Sequence, residues 1–92
     1  RGGYIMIEKK ATVKNETGIH ARPALSVVKE ASKFKSEVLI IKDGNEYNAK
    51  SIVAIMCMAA AKDDKITIKT SGADEEAAAV AMVKIIEQGL NN

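Results

Sequence analysis

The sequence predicts an α+β fold: one four-stranded antiparallel sheet covered on one face by three helices. Three observations carry this reading. Apolar and polar residues alternate over short segments near residues 7 and 66 with an aliphatic run at 38–41, apolar residues recur at helical spacing after Ala21 and Glu75, and turn-forming residues separate the segments. The resulting order, β-α-β-β-α-β-α, is buried most economically by a single sheet with its helices on one side. A chain of 92 residues has room for one such core, burying roughly 60–70% of its unfolded surface.

Over residues 5–13, Ile5, Ile7, Ala11 and Val13 alternate with Met6, Glu8, Lys10 and Thr12, broken only at Lys9, as in a half-buried strand. Asn15-Glu16-Thr17-Gly18 is turn chemistry. Ala21, Ala24, Leu25, Val28 and Ala31 then mark the apolar face of a helix over about residues 21–34, with Arg22, Lys29 and Lys33 elsewhere on its surface. An aliphatic run at 38–41, the hairpin signal Asp43-Gly44-Asn45 and the return Glu46-Tyr47-Asn48 make an antiparallel pair.

Ser51, a favoured N-cap residue, precedes the apolar run 52–61. Its β-branched members would also suit a buried strand, but its length, its alanines and the cap favour a short helix. Lys62-Asp63-Asp64-Lys65 turns the chain into a fourth strand, Ile66-Thr67-Ile68-Lys69-Thr70. Ser71-Gly72-Ala73-Asp74 leads into Glu75 and Glu76, acids placed where a helix's positive end favours them. Val80, Val83, Ile86 and Leu90, with Ala79 and Met82, give this third helix its buried side, and Gly89 is its stop.

Composition narrows the function. The net charge is +2, from 14 basic and 12 acidic residues mixed along the chain, and only 3% of residues are aromatic, which argues against a direct nucleic-acid partner. The apolar runs are too short for a membrane span and no signal-peptide pattern opens the chain, so a cytoplasmic protein without membrane insertion is expected. Cys57 has no second cysteine to pair with, which fits a reducing compartment. Residues 1–5 precede Met6 and read as an appended leader or alternative start, with residues 6–92 as a single domain.

The chemistry concentrates in Gly18-Ile19-His20-Ala21-Arg22-Pro23-Ala24, which holds the only histidine and the only proline. Proline is tolerated in a helix's first turn, so His20 falls at or just before a helix N-terminus. The amide groups there lack helical partners, and the helix dipole favours an anion. Arg22 adds a permanent planar cation suited to phosphoryl oxygens. An isolated histidine is ordinarily a loop or cap residue. Beside an anion site, it becomes a candidate nucleophile that takes up a phosphoryl group and passes it on. The chain has neither a Gly-x-x-x-x-Gly-Lys nor a Gly-x-Gly-x-x-Gly loop, so the donor must be brought by another protein.

This heptad, with Thr17 before it, resembles the active-site signature of the HPr family, the histidine-containing phosphocarriers of the bacterial phosphoenolpyruvate:sugar phosphotransferase system. The resemblance covers nearly all of residues 6–90 and implies an open-faced β-sandwich with the same element order. It further implies that Nδ1 of His20 accepts a phosphoryl group originating in phosphoenolpyruvate from phosphorylated Enzyme I and passes it to an enzyme IIA component for sugar uptake. Such a protein is a carrier with a phosphohistidine intermediate, holds no cofactor or metal, and is not a stand-alone enzyme. The resemblance assigns phosphoryl stabilisation to Arg22, and partner contacts to Thr17, Ala21, Leu25, Lys29, Ile52, Val53 and Met56.

Asn48-Ala49-Lys50-Ser51-Ile52 resembles the segment at which some members are phosphorylated by HPr kinase/phosphorylase using ATP, which makes Ser51 the candidate regulatory site. Phosphate there would place negative charge on the docking face and create a surface for a catabolite repressor. The chain departs from the family mainly after Ser51. Val53 stands where methionine or phenylalanine is common, and Cys57-Met58-Ala59 replaces a Ser/Thr-Leu-Gly pattern. Two other readings fit the residues less well. A regulatory homologue acting through phospho-Ser51 would be expected to lack the histidine. A soft-metal carrier using Met56-Cys57-Met58 lacks a second cysteine, and consecutive helical residues point apart.

Overall fold

A computed structural model of the chain describes residues 6–90, and the expected leader lies outside them. Strands β1 (Ile7–Thr12), β2 (Glu37–Lys42), β3 (Asn45–Asn48) and β4 (Lys65–Ser71) form one antiparallel sheet in the order β1-β4-β2-β3. Helices α1 (Ala21–Ala31), α2 (Ile52–Met58) and α3 (Glu75–Lys84) cover one face, and α3 runs on into a π-helical turn at Ile85–Gly89. This is the expected open-faced β-sandwich.

Alternation along β4 sets the layers. Ile66, Ile68 and Thr70 are buried toward the helices, with Ile68 opposite Ile40 of β2 and Ile66 opposite Ala11 of β1. Lys9 lies opposite Ile68, so its position belongs to the same side, yet it is exposed. It sits on an edge strand, where a lysine stem can reach water, and this explains the break in the β1 pattern. On the open face an ion pair between Lys69 Nζ and Glu46 Oε2 (3.2 Å) crosses β2, leaving Leu39 and Ile41 half-buried. The β2–β3 loop is shorter than the turn signal suggested. Asp43 and Gly44 alone make it, both with positive φ (52° and 82°), and Asn45 already pairs with Lys42.

Two helix faces differ from expectation. In α1 the buried residues are Pro23, Ala24, Val27 and Ala31, while Ala21 and Leu25 are exposed. In α3 they are Ala78, Ala79 and Met82, continued by Ile86, and Val80 is 53% exposed. Periodicity alone permits neighbouring sectors of a helix to be the buried one, and contact with the sheet selects between them.

The second helix ends at Met58 rather than running through 61, because Ala59 adopts a left-handed conformation (φ 51°, ψ 44°). For alanine this conformation costs about 1–2 kcal/mol, and glycine would escape the cost while adding about 0.4–1 kcal/mol of unfolded-state freedom. Ala59→Gly should therefore stabilise the protein by about 0.5–1 kcal/mol, read as a higher urea midpoint at unchanged slope.

Asp74 does not cap α3 through its side chain. Its carboxylate instead accepts from Lys35 N (3.0 Å), Ser36 N (2.9 Å) and Ser36 Oγ (2.5 Å), clamping the segment before β2 to the segment before α3. These bonds, the Ser36 hydroxyl first and the Lys35 amide next, lower its pKa to about 2. The unfolded chain protonates at about pH 3.9, so the ionised clamp stabilises the fold above that value and loses its contribution as pH falls toward about 2. Acid unfolding of Asp74→Asn, followed by circular dichroism, should show a shallower loss of stability across that window than the parent protein.

Candidate functional site

His20 is exposed and occupies the N-cap of α1 in an extended conformation (φ −147°, ψ 166°), as the position of Pro23 predicted. Its side chain makes no capping bond, and no acidic residue stands in the first turn. The imidazole is thus available beside the positive end of an eleven-residue helix, and no neighbouring carboxylate in that turn offsets the dipole. Ala21 follows with φ 51°. This left-handed step costs about 1–2 kcal/mol in a non-glycine residue, and it falls at the first residue of α1, directly after the histidine. Arg22 is exposed one residue further on.

The loop that delivers His20 is held by the segment following α2. Ile19 is fully buried and its N–H donates to Ala60 O at 2.8 Å. Gly18 (φ 74°) packs so closely that a Cβ would lie 2.4 Å from the same carbonyl oxygen. Lys62 forms an ion pair with Glu16, which raises the lysine's pKa through the hydrogen bond between them. Asp63 N donates to Val13 O (2.8 Å), and the Asp64 carboxylate accepts from Ala61 N (2.8 Å), bracing the partner segment. Asn15 and Ala60 are parts of the site that residue types alone did not single out. The turn composition of residues 15–18 was the available signal.

Ser51 is the N-cap of α2, its Oγ accepting from Ala54 N at 3.2 Å. The preceding turn is closed by Asn48, whose Oδ1 accepts from Lys50 N (2.9 Å), and Lys50 Nζ donates to Phe34 O (2.7 Å) just beyond α1. The N-terminus of α2 is therefore tied to the C-terminal end of α1, and its C-terminal end leads to Ala60 beside the His20 loop. His20 and Ser51 stand at opposite ends of this helix pair.

The expected docking residues are at the surface. Thr17, Ala21 and Lys29 are exposed, as are Leu25 (45%), Ile52 (37%), Val53 (68%) and Met56 (48%). Ala21, Leu25 and Lys29 follow one another at four-residue spacing along α1, which packs against α2. They do not all lie beside the histidine. Lys29 is nine residues along α1 from His20, about 13 Å at helical rise, and Ile52 belongs to the Ser51 end of α2. Met58 is buried whereas Met56 and Cys57 are exposed, so the three sulfur side chains do not share a face.

Fold and site together define a class: a small open-faced β-sandwich presenting an exposed histidine at a helix N-terminus. A family model described as PTS HPr component phosphorylation site matches residues 7–88. The chain belongs to this family, the HPr phosphocarriers of the phosphotransferase system, which are carriers rather than stand-alone catalysts. It is 48% identical over 80 residues to the phosphocarrier protein HPr of Mycoplasma genitalium, covering 86% of this chain and 91% of that one. It is 46% identical over 83 residues to the HPr-like protein Crh of Halalkalibacterium halodurans, covering 90% of this chain and 99% of that one. A crystal structure of phosphocarrier protein HPr from Bacillus anthracis superposes with a TM-score of 0.86 at 40% identity, covering 89% of this chain and 98% of that chain. Among the described residues no helix is long and apolar enough to cross a membrane.

Proposed function

We propose that this chain accepts a phosphoryl group on Nδ1 of His20 from phosphorylated Enzyme I and passes it to an enzyme IIA component for sugar uptake, in the cytoplasm. The observation that carries this reading is the exposed, uncapped imidazole at the N-terminus of α1. The lone pair of Nδ1 attacks phosphorus, and the bond to the donor breaks with its electron pair remaining on the donor. Onward transfer is the same step with His20 as the leaving group. A carrier must hold the group only moderately, since each 1.4 kcal/mol of added stabilisation slows release about tenfold. One helix end, about 0.3–2 kcal/mol, and the Arg22 guanidinium make a trap of suitable depth. No cofactor is required on the chain itself, because the phosphoryl group comes from phosphoenolpyruvate through Enzyme I.

Ser51 is the regulatory site in this reading, phosphorylated by an HPr kinase/phosphorylase with ATP. The similarity to HPr-like protein Crh favours such an arm. Phosphate would add about −1.5 to −2 charge at the N-terminus of α2, a position the dipole favours, so the fold should persist while the docking face gains negative charge. Exposed Leu25, Ile52, Val53 and Met56 are the apolar contacts for Enzyme I and enzyme IIA, with Thr17 and Ala21 beside them and Arg22 and Lys29 at the basic rim. A phosphoserine form would instead engage a catabolite repressor.

The test combines the protein with phosphoenolpyruvate, magnesium and active Enzyme I, then separately with the kinase and ATP, reading phosphorus NMR and intact mass. One acid-labile phosphoryl in the first mixture and one acid-stable phosphoryl on Ser51 in the second are expected. Labelling only in the second would make the chain a regulatory homologue that does not serve transport.

A further inference from the structure

We propose that Asn15 is a positioning residue for phosphoryl transfer at His20, its side-chain amide latching the turn from which the histidine is presented. The inference rests on the reading of His20 as the acceptor. Asn15 is only 8% exposed although Lys14, Glu16 and Thr17 around it are exposed. Its Nδ2 donates to Gly18 O at 2.5 Å, and its own carbonyl accepts from Gly18 N at 3.2 Å. Both backbone polar groups of Gly18 are therefore held by one residue.

Gly18 is left-handed and wedged against Ala60 O, and the next residue, Ile19, is fully buried with its N–H on that same oxygen. From Asn15 to His20 the chain thus passes through a latched glycine and a buried isoleucine. The direction in which it presents the imidazole is set by these contacts.

The other end of the Asn15 amide argues against a purely structural role. Its Oδ1 is buried without a hydrogen-bond partner among the described residues. Burying a polar oxygen unpaired is costly, and an apolar side chain of the same size would avoid that cost. Asparagine thus carries a burial cost at one end of its amide and holds Gly18 O with the other. Precise placement matters to transfer because a displacement of about 1 Å at a reacting atom can cost about a hundredfold in rate.

Asn15→Leu separates the two roles. It removes the unpaired oxygen but leaves Gly18 O without its side-chain donor, so the two costs oppose each other and its melting temperature should stay close to that of the parent. Its transfer from phosphorylated Enzyme I should nonetheless slow by about tenfold to a hundredfold, in kcat rather than KM, because the exposed docking residues are untouched. The His20 imidazole resonances should shift in the same variant. If Asn15→Leu does not fold, Asn15→Ala assayed well below its midpoint gives the same comparison. A folded variant that transfers at the parental rate overturns the latch alone. A parent protein that takes up no phosphoryl from active Enzyme I overturns the acceptor reading, and the latch with it.

Discussion

His20→Ala is expected to take up no phosphoryl group from phosphoenolpyruvate and Enzyme I, with no labelled species in phosphorus NMR and no mass increase. The chain has no second histidine, and the phosphoryl acceptor cannot be replaced by neighbours that only stabilise charge. The loss should be specific. His20 is exposed and makes no capping bond, so its removal should change stability by no more than about 0.5 kcal/mol. Phosphorylation of Ser51 should continue in the variant, since that serine stands at the opposite end of the α1–α2 pair. Acid-labile labelling that persists in a folded His20→Ala protein would place the acceptor elsewhere and refute the assignment.

Gly18→Ala is expected to destabilise the protein by about 2–4 kcal/mol. Two costs combine. A non-glycine residue at φ 74° pays the left-handed penalty of about 1–2 kcal/mol. The added methyl must also displace backbone, because it would lie 2.4 Å from Ala60 O and 3.0 Å from Ala61 Cα. Overpacking of this kind typically costs about 1–3 kcal/mol. At about 4–8 °C per kcal/mol for a domain of this size, the melting temperature should fall by roughly 10–25 °C. Urea denaturation and a thermal scan both measure it. A loss below about 1 kcal/mol would mean that the His20 loop yields without resistance and is not held against the end of α2.

Much of the candidate site was legible in the residues. Pro23 two positions inside the helix and His20 just before it are local signals, and the structure has the helix begin at Ala21 with His20 at its N-cap. Ser51 before an apolar run is another, and its hydroxyl does cap α2. Asn15 was legible only as a turn former. That its side chain is buried, with one end on Gly18 O and the other unpaired, is a matter of packing that turn composition does not encode. Nor did spacing reveal that His20 and Ser51 lie at opposite ends of the helix pair. That follows from Lys50 reaching Phe34 O and from Ile19 reaching Ala60 O, bonds between residues 16 and 41 positions apart.

The sequence by itself determined the order of elements, the place of the β2–β3 hairpin and the start of each helix, because these depend on residues within a few positions of one another. Only the tertiary structure decided which helical sector is buried, exposing Leu25 and Val80 that periodicity counted as core. It also ended α2 at a left-handed Ala59 and drew Asp74 from its cap position to Ser36. Periodicity sets how side chains are spaced around a helix axis. The angle at which that axis meets the sheet, and the distant partners a polar group finds, arise only when the whole chain packs together.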